Sequence, residues 1–182
     1  MRGTWGAGGR AHGRYDGRTM LALDLVERLR QVSPSAANAL LTVAVKNIIP
    51  LSSVMGVRVE DASDARAQVS VPLKRRTRNH VGSVYLGVQV TVMELTMGVW
   101  LFRRFPPGRY LALVNELQVS FHAKAKGGVR AICEPPPEVF NTLDAALRQK
   151  GDKAREWIPV RLEDFEGTHI ADARFLAVLK KA

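Results

Sequence analysis

The run 84–102 (VYLGVQVTVMELTMGVWLF) is almost wholly apolar, and a single carboxylate, Glu94, stands near its middle. A helix apolar nearly all round has to be covered on nearly all sides. A carboxylate inside such a helix costs on the order of several kcal/mol unless something pairs with it or uses it. The run is introduced by a polar loop, Arg78-Asn79-His80-Val81-Gly82-Ser83. A polar loop feeding a buried helix with one acid points to a catalytic site more than to a packing accident. The run is long enough to raise the question of a membrane span. Glu94, Gln89 and the lack of a second such run argue against one.

The rest of the chain supplies candidates for the cover. Helical spacing over 20–32 places Leu21, Leu25, Leu29 and Val32 on one face. Ser33-Pro34-Ser35 breaks that pattern and caps a second helix, 35–48, which Pro50 ends. Residues 53–60 and 65–73 alternate apolar and polar, with 61–64 as a turn, and predict a hairpin. After the long helix, 84–103, stopped by Arg103-Arg104-Phe105-Pro106-Pro107-Gly108, come strands over 110–123 and 128–134. A short amphipathic helix over 138–149 and strands over 154–164 and 168–179 finish the chain. That order predicts an α+β fold, with a mostly antiparallel sheet curled around one central helix.

With 182 residues the chain is long enough for one domain with a sizeable core. Residues 20–182 are expected to form it. The Gly- and Arg-rich stretch 1–19 is expected to be a flexible extension, since it lacks the apolar stretch of a secretory signal. That stretch supplies +3 of the formal charge of +10. A basic domain suits nucleic acid, an anionic membrane surface or a phosphorylated small molecule such as a coenzyme A ester. Nucleic acid is disfavoured, because aromatics are only 7% and do not interleave with the basic residues. Cys133 is the one cysteine, so no intrachain disulfide forms and a reducing, cytoplasmic compartment is expected. It falls in an alternating apolar pattern and reads as a small core residue; His122 alternates with core residues and reads as structural. No His/Cys/Asp spacing along the chain suggests a metal, no phosphate loop is present, and no cofactor is expected.

The segment 79–87 (NHVGSVYLG) followed by Glu94 resembles the active-site motif of hotdog-fold acyl-CoA thioesterases, closest to the phenylacetyl-CoA thioesterase-like branch and its uncharacterised relatives. In that family an Asn stands six residues before a His-Gly-Gly that opens the central helix, and an acid follows nine residues after the His. Asn79, Tyr85 and Glu94 keep both spacings. The resemblance spans roughly residues 50–180. Two positions depart from it: Tyr85 stands where the family often has His, and Leu86 where it often has the first Gly. Gly87 survives.

The resemblance implies hydrolysis of an acyl-CoA thioester. Backbone N–H groups near Leu86 and Gly87 would polarise the carbonyl, helped by the helix dipole. Glu94 would act as general base or nucleophile, and Asn79 would orient the water or the carbonyl. Gln89 and Thr91 are expected to support Glu94. His80, Gly82, Ser83, Tyr85, Lys124 and Lys126 are candidates for substrate binding, with Lys74, Arg75, Arg76 and Arg78 also available to the CoA phosphates. Leu86 and Glu94 are eight residues apart, about 12 Å along a helix. One carbonyl cannot touch both on a single helix, so the reading predicts a homodimer, or a dimer of dimers, with sites across the interface. Other readings remain open. Glu94 can be a structural acid paired with Arg or His, Asn79 a turn cap, His80 a loop residue and 74–78 a solvated loop. The departures at Tyr85 and Leu86 also suit a non-catalytic acyl or CoA-ester binding protein on the same fold.

Overall fold

The computed structural model describes residues 17–149 and 153–181. The expected flexible extension falls mostly outside that range. Its last residues, 17–19, belong to the first helix instead. Helices α1 (Gly17–Val32), α2 (Pro34–Ile48) and α3 (Pro50–Met55) come first. Ser33 starts α2 with its hydroxyl accepting from the Ala36 amide at 3.4 Å. The strand expected from residue 53 begins only at Arg58. Pro50 at the first turn starts a short helix, and Gly56, at φ +75°, ends it.

Strands β1 (Arg58–Ala62) and β2 (Ala67–Pro72) then form the hairpin, followed by the long helix α4 (Leu86–Arg104). β3 (Tyr110–Phe121), β4 (Gly128–Cys133), α5 (Pro137–Arg148), β5 (Lys153–Asp164) and β6 (His169–Lys181) complete the order. All six strands lie in one antiparallel sheet, in the order β1-β2-β4-β5-β6-β3. The expected α+β architecture, a curved sheet around one long helix, is therefore the one observed. No described helix is long and apolar enough to cross a membrane.

The core lies where α4 meets β1, β2, β4 and β5. Val92, Met93, Trp100 and Leu101 point from α4 into it and meet Val69, Val71, Ala131 and Leu162 from the sheet within one cluster. The inward positions of β5 and β6 alternate with outward ones, as a one-sided sheet requires. β3 is different. Although it follows α4 directly, it crosses to the far edge of the sheet and, among the described residues, pairs only with β6. Leu111, Leu113, Val114, Leu117 and Phe121 on it are exposed. The cover on α4 is thus incomplete: the stripe through Val90, Thr91, Glu94, Gly98 and Phe102 is not fully buried.

Met93 and Glu94 are neighbours on opposite sides of this division. Met93→Ala is expected to lower unfolding stability by about 2–5 kcal/mol, while Glu94→Gln should not lower it; urea denaturation followed by circular dichroism measures both.

Candidate active site

The loop that delivers α4 is held by short-range polar contacts. The Thr77 hydroxyl donates to the Pro72 carbonyl at 2.8 Å and accepts from the Lys74 amide at 2.8 Å. Asn79 Oδ1 accepts from the amides of Val81 at 3.1 Å and Ser83 at 2.9 Å. This is an Asx turn, so the turn-capping role of Asn79 is present, and its Nδ2 has no hydrogen-bond partner among the described residues. Buried Ser83 donates its hydroxyl to the Ala125 carbonyl at 3.0 Å, and the Val84 amide donates to the same oxygen at 3.2 Å. Ser83 is therefore a tether for the loop. His80, Gly82, Tyr85 and Leu86 are exposed.

The first turn of α4 has the amides that an oxyanion needs. Tyr85 is the N-cap and makes no side-chain cap bond; the first amide to find a helical partner is that of Gln89, on Tyr85 O at 3.1 Å. The amides of Leu86, Gly87 and Val88 have no partner among the described residues. Gly87 matters because of the ring above it: a Cβ there would sit 2.7 Å from Tyr85 Cε1. The Tyr85 ring thus leans over the helix start.

Glu94 lies two turns further on, and here the structure corrects the expectation of a buried charge. Its side chain is exposed on the open stripe of α4 and forms no hydrogen bond or ion pair among the described residues. It borders an apolar cavity of about 430 Å³. Val26 of α1, Leu41 and Val45 of α2, Gly98 of α4, and Leu113 and Val114 of β3 also line that cavity. Desolvation by those walls raises the Glu94 pKa above the ordinary carboxylate value, although the side chain reaches solvent. The expected supports are engaged elsewhere. Gln89 is buried and donates from Nε2 to Val84 O at 2.8 Å, and the Thr91 hydroxyl donates to Gly87 O at 2.8 Å. The ceiling of the cavity is positioned by Arg103, which donates to Glu27 on α1 and to Asp64 in the β1–β2 turn.

Two basic segments flank the start of α4. Lys74, Arg75, Arg76 and Arg78 are exposed on the loop itself. Lys124 and Lys126 are also exposed, and both flank Ala125, the residue to which Ser83 and Val84 are bonded. The fold brings these two stretches together; their spacing along the chain does not reveal it. Cys133 is buried on β4, and burial pushes its thiol far up, which suits a packing role and not a nucleophile. His122 is not a core residue: it is exposed on the outer face of the sheet.

The family described as a domain of unknown function, DUF4442, matches residues 37–178. No curated protein matches the chain. Among solved structures, a Pseudomonas aeruginosa protein described as of unknown function and a probable thioesterase shares 24% identity with it. The TM-score is 0.70, over 78% of this chain and 95% of that one. A thioesterase family protein from Silicibacter pomeroyi is 16% identical, with a TM-score of 0.60 over 80% of this chain and 99% of that one. A Staphylococcus aureus thioesterase, crystallised with the Gln at its position 32 changed to Ala, is 14% identical. Its TM-score is 0.59, over 72% of this chain and 98% of that one. The same S. aureus protein has been crystallised with the Glu at its position 47 changed to Ala, fifteen residues further along. At these identities the likeness is one of fold, and that fold is the hotdog fold.

The raised pKa of Glu94 has a sign that can be checked. A carboxyl whose pKa is higher when folded costs nothing below its unfolded pKa, and the cost grows as pH rises through the folded value. Glu94→Gln is therefore expected to gain stability relative to the parent as pH increases from acid to neutral. Carbon-13 titration of the Glu94 carboxyl should give a pKa above that of exposed glutamates in the same chain; an ordinary value would remove the proposed desolvation.

Proposed function

The chain belongs to the DUF4442 family and has the hotdog fold; on that premise we propose that it hydrolyses fatty acyl-CoA thioesters. The observation that carries the reading is a carboxylate, Glu94, with no partner among the described residues, on the wall of a mainly apolar cavity whose other charged lining residues, Glu27 and Arg103, are bonded to each other. A carboxyl with a raised pKa is a better base, and a cavity of this size and mainly apolar lining suits an acyl chain. Glu94 takes a proton from a water that attacks the thioester carbonyl. The tetrahedral oxyanion is held by the free amides of Leu86 and Gly87, with Asn79 Nδ2 as a further donor. Collapse breaks the C–S bond, and Glu94 returns the proton to the departing thiolate. Direct attack by the Glu94 carboxylate, followed by hydrolysis of the anhydride, uses the same groups. Lys74, Arg75, Arg76, Arg78, Lys124 and Lys126 give the CoA phosphates a basic bed at the helix start.

Two further features support this reading. The Gln and Glu positions altered in the S. aureus thioesterase lie fifteen residues apart, as do Asn79 and Glu94 here. The second is the bare edge of β3. A long strand with one open edge, carrying Leu113, Val114 and Leu117, is a template for another chain. Pairing with β3 of a second copy would cover the open stripe of α4. It would also bring the partner's free amides towards Glu94, which the 12 Å span along one helix requires. The single buried thiol, Cys133, fits a reducing cytoplasm.

Glu94→Gln is expected to lower kcat/KM for a fatty acyl-CoA by about 100-fold or more and to abolish the acid limb of the pH–rate profile. Across a series of chain lengths, KM should fall as methylenes are added, by up to about fourfold each, until the cavity is filled. Equal rates in parent and variant would sink the mechanism. The Tyr85 ring over Gly87 favours a second reading, a protein that binds acyl-CoA without turnover. Tight binding with no turnover in the parent, and turnover appearing in Tyr85→Ala, would establish it. Leu117→Glu, on the bare strand, is expected to give a folded monomer by light scattering with kcat/KM reduced at least about tenfold.

A further inference from the structure

On the outer face of the sheet, away from α4 and its cavity, three potential metal ligands converge. His122 Nε2 lies 3.0 Å from Asp172 Oδ2, and His169 Nε2 lies 2.9 Å from the same oxygen. The two imidazole rings meet edge to face with centroids 5.0 Å apart. All three ligand atoms lie within 4.8 Å of one another. We propose that His122, His169 and Asp172 form a binding site for a divalent transition ion of the zinc class.

The backbone produces this convergence. The β3–β6 ladder pairs Ser120 with Asp172 and Phe121 with Ala171, and the His122 amide donates to Ile170 O at 2.8 Å. Asp172 points outward between buried Ala171 and Ala173. His169 would point the other way in a regular strand, because residues three apart face opposite sides. The register shift between Leu162 and Glu163 on β5, opposite this end of β6, lets it share the face of Asp172. The result comes from two strands and a bulge.

Two imidazoles and one carboxylate leave coordination positions open to water, and all three side chains are about half exposed. In a tetrahedral site with bonds of about 2.0–2.1 Å, ligand atoms sit about 3.3 Å apart. Two of the three separations are already within half an ångström of that. In the metal-free protein each imidazole can donate its Nε2 proton to Asp172; an ion would take the place of those two protons. Arg161 is in register with Asp172 on β5 but is engaged by Glu163 at 2.8 Å. Arg174, next along the face, donates to Gln118. An ion here would fasten the end of the free edge strand β3 to β6. It would also steady residues 122–125, which lead to the Ala125 carbonyl that holds the loop before α4.

Isothermal titration of the full, EDTA-treated chain with Zn²⁺, and the visible spectrum of added Co²⁺, test the site. One ion per chain is expected, with a Co²⁺ spectrum showing nitrogen and oxygen ligands. His122→Ala, His169→Ala and Asp172→Asn should each weaken binding at least about tenfold, with circular dichroism unchanged, while His80→Ala and His12→Ala leave it intact. Zn²⁺ should raise the Tm of the parent and not of the three variants. No stoichiometric binding, or binding that persists in all three variants, overturns the proposal and leaves a hydrogen-bonded His–Asp–His cluster alone.

Discussion

The unequal covering of helix α4 organises the molecule. Four strands bury Val92, Met93, Trp100 and Leu101 against the sheet, and that contact holds the core together. The other side of the same helix is not packed against the sheet in this way: β3 goes to the far edge of the sheet, and a cavity separates α4 from it. One helix therefore supplies both the anchor of the fold and the wall of the cavity. Its position is fixed by apolar packing, so a group on its open side, such as Glu94, is held with the precision of the core.

Electrostatics follows from that geometry. Glu94 is neither a buried ion nor a solvated surface acid. It reaches solvent, yet the apolar walls from α1, α2 and β3 desolvate its carboxyl and raise its pKa. With no cation bonded to it among the described residues, nothing offsets that effect. The partly compensated alternative, a structural ion pair, is seen elsewhere on the same helix, where Arg103 bonds Glu27 and Asp64. The contrast between these two charges on α4 is between one that fastens elements together and one that is left available.

The exposed strand β3 links the cavity to the outer face. It contributes Leu113 and Val114 to the lining of the cavity, and its far end presents His122 to Asp172 and His169. Its outer edge has no strand partner among the described residues. A strand so apolar and so long is costly to leave open. A second copy at that edge and an ion at that end would each act on the same element, one by pairing its backbone and the other by fixing its terminus.

Much was legible in the sequence alone. The length and polarity of 84–102 dictated a helix that a sheet must cover, Pro and Gly set most element boundaries, and the Asn79-to-Glu94 interval singled out the candidate site. These are local properties, carried by periodicity and by residues with fixed backbone preferences. What tertiary structure decided is which side of α4 stays open. A period of 3.6 cannot say which stripe a sheet will cover when every stripe is apolar, so Glu94 was expected inside and stands at a cavity wall. The helix at Pro50–Met55 and the diversion of Gln89 and Thr91 to backbone carbonyls depended on local geometry that residue type does not encode. The meeting of Lys124 with the loop before α4, and of His122 with His169, depended on strand order and one register shift. Those are long-range choices, made by how the whole sheet pairs.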